Sequence, residues 1–154
     1  MKPGDAITDL ILESFRLNGC LLAAGDALVQ DLGLTSARWQ VLGAVAMAPT
    51  ASPVAHVART MGLSRQNVQR IANELQASGL VEFAPNPHHQ RAKLVLLTGH
   101  GRAVYAKAAA RQAPWASALA EGLPEDAIEE ATGLLRMLRR RLEADTAHDS
   151  ERPA

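Results

Sequence analysis

The sequence predicts a mainly α fold with a small β-hairpin, on three observations. Only 3% of the residues are aromatic, and the 47% hydrophobic content comes largely from Ala and Leu, a balance that favours helix over sheet. Apolar residues recur at three- and four-residue spacings over most of the chain. The stretch Leu80 to Leu97 departs from that rhythm, with two short Leu- and Val-containing runs around a polar turn. At 154 residues the chain is long enough for one domain with a real core, or one domain and an appendage.

The elements follow in order. A first helix spans about Asp5 to Asp31, with Ile7, Leu10, Ile11, Leu17, Leu21, Ala24 and Leu28 in helical register, and it is too long to serve one small core. Thr35 is placed to cap a second helix, with Leu34 and Trp39 as a hydrophobic staple, and Pro49 ends it. Ser52-Pro53 reads as the N-cap and first residue of a third helix, whose core face is Val54, Val57, Ala58 and Met61. Gly62 stops that helix. Two residues later Ser64 can cap a fourth, which turns Val68, Ile71, Ala72 and Leu75 inward and ends at Gly79 in a Schellman pattern with Leu80.

Leu80 to Ala84 and Arg91 to Leu97 then read as the arms of the hairpin, with Pro85 to Gln90 as its turn. Thr98 caps a fifth helix with a kink expected at Pro114, and a sixth starts at Pro124. On the sixth, Ile128, Ala131, Leu135, Leu138 and Leu142 alternate spacings of three and four, the seam that packs on another helix. The expected organisation is a winged helix-turn-helix over 35–97, a helical dimerisation region of 5–31 with 98–145, and a disordered tail at 146–154, all in one structural unit.

Charge points to a partner. Sixteen Lys and Arg balance sixteen Asp and Glu overall, yet from Ala55 to Arg111 eight basic residues face only Glu74 and Glu82. The flanks carry the compensating acid. A lone cysteine, Cys20, excludes an intramolecular disulfide, and neither a membrane-length apolar run nor a signal-peptide pattern is present, so a soluble, cytoplasmic protein is expected.

Helix, three-residue turn, helix and hairpin over 53–97 is the connectivity that lays its second helix in the DNA major groove. The outer face of that helix offers Arg65, Gln66, Gln69, Arg70 and Asn73, with Ser64 and Asn67 near its N-terminus and no acidic side chain read among them. Arg can bind guanine bidentately and Gln or Asn adenine, while a helix N-terminus favours a phosphate. In the wing, His88, His89, Arg91 and Lys93 suit the backbone or the minor groove, with Arg91 foremost.

Three segments carry a family resemblance: LTSARWQVL from Leu34 to Leu42, LSRQNVQRIANELQASGLVEF from Leu63 to Phe83, and NPHHQRAKLVLLTGHG from Asn86 to Gly101. Through them nearly all of residues 5 to 145 resembles the MarR family of transcriptional regulators. The resemblance implies a homodimer built on the first, fifth and sixth helices, paired winged helices on a pseudo-palindromic operator, and a ligand cleft between the two layers. It places Arg16, Cys20 and Trp39 near that cleft and implies a ligand-responsive repressor with a small aromatic or phenolic effector. One departure stands out. Family wings commonly carry an acidic residue shortly before the arginine, where this chain has His88, His89 and Gln90.

Plainer readings stand beside these. The polar helix face is also what a solvated surface looks like. Adjacent histidines in a turn lack the partners a metal site needs, so no metal or cofactor is expected. A single cysteine is usually a small buried residue, and the oxidant-sensing cysteine of some relatives lies farther upstream of the second helix than Cys20. Trp39 fits core packing, and Arg16 fits a surface ion pair with Glu13. No phosphate loop, nucleophile elbow or metalloprotease helix is present, so no enzyme is expected. The rival readings are a winged-helix module for an acidic protein partner and an architectural DNA binder without an effector.

Overall fold

The computed structural model describes residues 2–150, with side chains through Thr146. The N-terminal apolar rhythm forms α1, Pro3–Val29, with Pro3 in the first turn and the Asp5 carboxylate accepting from the Lys2 N–H at 3.2 Å. A 3-10 turn over Gln30–Leu32 and Gly33 at φ 73° end it. Helix α2, Ser36–Met47, is capped by Thr35, whose hydroxyl accepts from the Arg38 N–H at 3.2 Å. Its start is also tied to α1: Asp26 accepts from the Ser36 N–H, and the Ser36 hydroxyl donates to the Leu22 carbonyl, each at 2.6 Å. These bonds satisfy Ser36, one of two buried polar residues among those described.

The third helix starts differently from the sequence expectation. Ser52 is not its N-cap; Pro53 takes that position with no side-chain cap bond, and the two form a two-residue strand, β1, paired with residues more than forty positions onward. Helix α3 therefore begins at Val54 and runs to Met61, followed by α4, Arg65–Ala77, and the strands β2, Val81–Ala84, and β3, Leu94–Leu97. The sheet is antiparallel in the order β1-β3-β2, with Ser52 opposite Val95 and Val81 opposite Leu97. Since β3 starts at Leu94, Arg91 and Lys93 lie in the wing loop and not in a strand as expected.

Leu42, Ile71, Leu75, Val29, Val41, Val68 and Val81 are fully buried, and one core cluster joins α1, α2, α3, α4 and the sheet. Each such side chain contributes about 1.5 to 3 kcal/mol relative to an exposed one. The inner face of α4 thus rests on a continuous apolar base.

Helix α5 spans Gly99–Leu119 and includes Pro114; α6 spans Glu125–Ser150. The described residues form two compact units that part within α5, one up to Pro114 and the other from Trp115 on, in place of the single unit expected. A mid-helix proline removes an amide donor at that point. In the second unit Ile128, Leu135 and Leu142 of the expected seam are exposed. Helix is described as far as Ser150, and the rest of the expected tail, 151–154, lies outside the described residues. No helix among the described residues is long and apolar enough to cross a membrane.

Candidate nucleic-acid interface

The turn between α3 and α4 is specified by local chemistry. Gly62 takes φ 66°, a conformation that penalises any Cβ, and the Leu63 N–H reaches the Ala58 carbonyl at 3.0 Å. Ser64 then caps α4, its hydroxyl accepting from the Asn67 N–H at 3.2 Å. At the far end Gly79, φ 74°, lets the Leu80 N–H bond the Leu75 carbonyl at 2.9 Å. Val68, Ile71, Ala72 and Leu75 are buried as the spacing predicts. The opposite face is thereby turned outward, with Ser64, Arg65, Gln66, Gln69, Arg70 and Asn73 exposed and Asn67 half-buried.

That outer face has two edges. On the wing side, Arg65, Gln69, Asn73 and Gln76 join His89, Arg91 and Lys93 around a groove of about 610 Å³, with Pro53, Val54 and Phe83 also lining it. The Gln69 side-chain amide donates to Asn73 Oδ1 at 2.8 Å, so two amides of the kind that can bind adenine stand side by side. Arg65 and Arg91 form no ion pair among the described residues. Their charges are free to meet an anion.

The other edge is lined by Gln66, Arg70, Glu74 and Ala77, which with Arg65, Gln69 and Asn73 border a shallow concavity of about 740 Å³. Here the sequence reading needs correction, because an acidic residue does belong to the face. Glu74 accepts from Arg70 at 2.8 Å and from Arg38 of α2 at 3.0 Å, while Arg70 also donates to the Asn67 side chain at 2.8 Å. The bond from Arg38, then the Arg70 guanidinium, holds the Glu74 carboxyl below its ordinary range, against an opposing desolvation effect. Arg70 is thus held at both ends.

The wing turn has its own brace. Asn86 accepts from the His88 N–H at 3.0 Å through its side chain and from the His89 N–H at 3.3 Å through its carbonyl. This Asx turn shapes a loop that lacks the acidic residue common in family wings. His88 and His89 are exposed, and no group of three metal-ligating side chains comes together among the described residues.

The three residues placed near a ligand cleft lie apart from the two grooves at α4. Arg16 is exposed and pairs with Glu13 at 3.3 Å, Trp39 packs half-buried against the core, and neither groove at α4 is lined by either. Cys20 is exposed on α1, contrary to the buried position a lone cysteine usually takes. Sequence reasoning missed Arg38, Glu74, Gln76 and Phe83 as parts of this surface. The excess of Gln, Asn and Arg along α4 marked the face, but nothing local announced a tie to α2.

Residues 32–92 match the MarR family. Over 134 residues the chain is 35% identical to the protein Rv2011c of Mycobacterium tuberculosis, covering 87% of this chain and 92% of that one. The structure resembles CouR from Rhodococcus jostii bound to p-coumaroyl-CoA, with TM-score 0.75, 26% identity and coverage of 84% and 91%. It also shares the fold of a mutant MarR from E. coli complexed with operator DNA, with TM-score 0.78, 21% identity and coverage of 90% and 99%. With the capped outer helix, the braced wing and these likenesses together, the chain belongs to the MarR family of transcription regulators.

Proposed function

We propose that this regulator is a cytoplasmic homodimer that binds a pseudo-palindromic operator and represses transcription until a small aromatic or phenolic effector releases it. The observation that carries the reading is the outward edge of α4, where Arg65, Gln69 and Asn73 stand beside the cationic wing groove. Arg65, Gln66, Gln69, Arg70 and Asn73 read base edges; Ser64 and Asn67 position the helix; His88, His89, Arg91 and Lys93 hold the flanking backbone or minor groove. Paired helices must meet successive major grooves about 34 to 36 Å apart, so an effector that alters their separation weakens binding. A coupling of about 1 to 3 kcal/mol changes affinity roughly 5- to 150-fold. The p-coumaroyl-CoA bound by CouR supports an aromatic class of effector.

The test uses a duplex selected by the full chain from a random pool, compared with random duplex. Arg65→Ala or Gln69→Ala should cost about 1 to 3 kcal/mol on the selected duplex and little on the random one. Arg91→Ala should weaken both and reduce the salt slope by about 1. An unchanged slope in Arg91→Ala would remove the wing from the interface. Thermal shift with aromatic acids and phenols tests the effector.

A second reading concerns direction. The relative BadR of Rhodopseudomonas palustris, 34% identical over 96 residues that span 59% of this chain and 55% of its own length, is named a transcriptional activatory protein. A reporter behind the selected duplex, with and without the regulator, decides between repression and activation.

A further inference from the structure

We infer that Glu74 is a specificity-determining positioning residue, which holds Arg70 on the outer face of α4 so that its guanidinium meets DNA in one orientation. The inference deepens the proposed DNA-binding reading and rests on it. It starts from a juxtaposition that is costly unless used. A carboxylate beside a polyphosphate raises the electrostatic cost of binding, yet Glu74 lines the same concavity as Gln66, Arg70 and Asn73.

The geometry shows what the carboxylate does there. One oxygen takes the Arg70 bond at 2.8 Å and the other takes the Arg38 bond at 3.0 Å, so both oxygens are engaged. Arg70 is meanwhile bonded one turn back to Asn67, at 2.8 Å, and its guanidinium lies along the helix between the two. A free arginine side chain would lose rotamer freedom on meeting a phosphate or base; this one has already lost it. Arg38, from α2, supplies the countercharge that keeps Glu74 from repelling the duplex with its full charge, and it ties the orientation of Arg70 to the α2–α4 packing. Arg38 in turn is seated by its own backbone N–H on Thr35. The arrangement sacrifices general affinity and gains a fixed contact.

Glu74→Gln keeps the size and one acceptor but cannot satisfy both guanidiniums. In this variant the random duplex should bind more tightly, the salt slope should steepen by about 0.9 as a freed cation reaches one further phosphate, and the ratio of selected to random affinity should fall about tenfold. In an Arg70→Ala background the same substitution should leave that ratio unchanged, because the residue it acts through is gone. A ratio that falls equally with and without Arg70 overturns the inference, as does a ratio and slope unaffected in the single variant. Should Glu74→Gln not fold, Arg70→Lys supplies the readout, since an ammonium cannot span Asn67 and Glu74: the ratio should fall with the slope intact, and an unchanged ratio overturns the inference. A wild-type chain that selects no duplex at all overturns the DNA-binding reading itself, which separates the two failures.

Discussion

Gly101 shows how one residue can set the position of a helix. Its N–H donates to the Thr98 hydroxyl at 2.9 Å, and that hydroxyl donates to the Gly79 carbonyl at 2.6 Å. The Thr98 N–H bonds the Leu80 carbonyl at 3.1 Å, and a Cβ on Gly101 would run into that same carbonyl. The end of α4, the end of β3 and the start of α5 therefore meet where only a hydrogen fits. Gly101→Ala should destabilise the fold by about 1 to 3 kcal/mol, visible as a Tm lowered by several degrees, because backbone cannot yield as a side-chain tip can. A Tm unchanged within one degree would contradict the crowding. The caps and stops at Thr35, Gly62, Ser64 and Gly79 were legible in the sequence for a related reason: each depends on atoms within about five residues. Glu74 was not, since its main partner is 36 positions away.

At the scale of elements, the same distinction explains the third strand. Ser52-Pro53 has the local chemistry of a helix start, and only the presence of Leu94 and Val95 alongside turns it into strand. The wing arginine likewise reads as strand until that register ends at Leu94. A different long-range tie fastens α5 to the end of α1. Arg111 donates to the Leu28 carbonyl at 2.9 Å and pairs with both oxygens of Asp31, one of them at 2.8 Å. The hydrogen bond from Arg111 holds the Asp31 carboxyl below its ordinary 3.8, with partial desolvation opposing. A carboxyl depressed in the folded state adds stability above its unfolded value and loses it as pH falls through the folded one. Asp31→Asn should therefore lower Tm at neutral pH, and the gap from wild type should close as acid takes the pair below the carboxylate range. Thermal melts at stepped pH check this; a gap that persists in strong acid would assign the effect to something other than the ion pair.

At the scale of the whole molecule, the exposed apolar side chains of α1 bear on assembly. Leu12 and Phe15 lie three apart on one helix face, and Phe15 is 71% exposed. Apolar side chains this exposed are of the kind that an interface covers. If the homodimer uses this face, Phe15→Glu should convert a particle of twice 16.4 kDa to one of single mass in sedimentation, and should weaken the selected duplex far more than a half-site. Equal mass for both proteins would place the interface elsewhere. The apolar register of α1 was readable from spacing alone; which part of it meets solvent was not, because exposure depends on how α2 and the core take up the rest.

The two-residue strand β1 has a bearing on how copies of this chain avoid each other. Its outer border offers a stray polypeptide a very short template, and one of its two positions is a tertiary amide with no hydrogen to give. Zipping of one wing onto another, the first step toward fibrils, finds no purchase on that side.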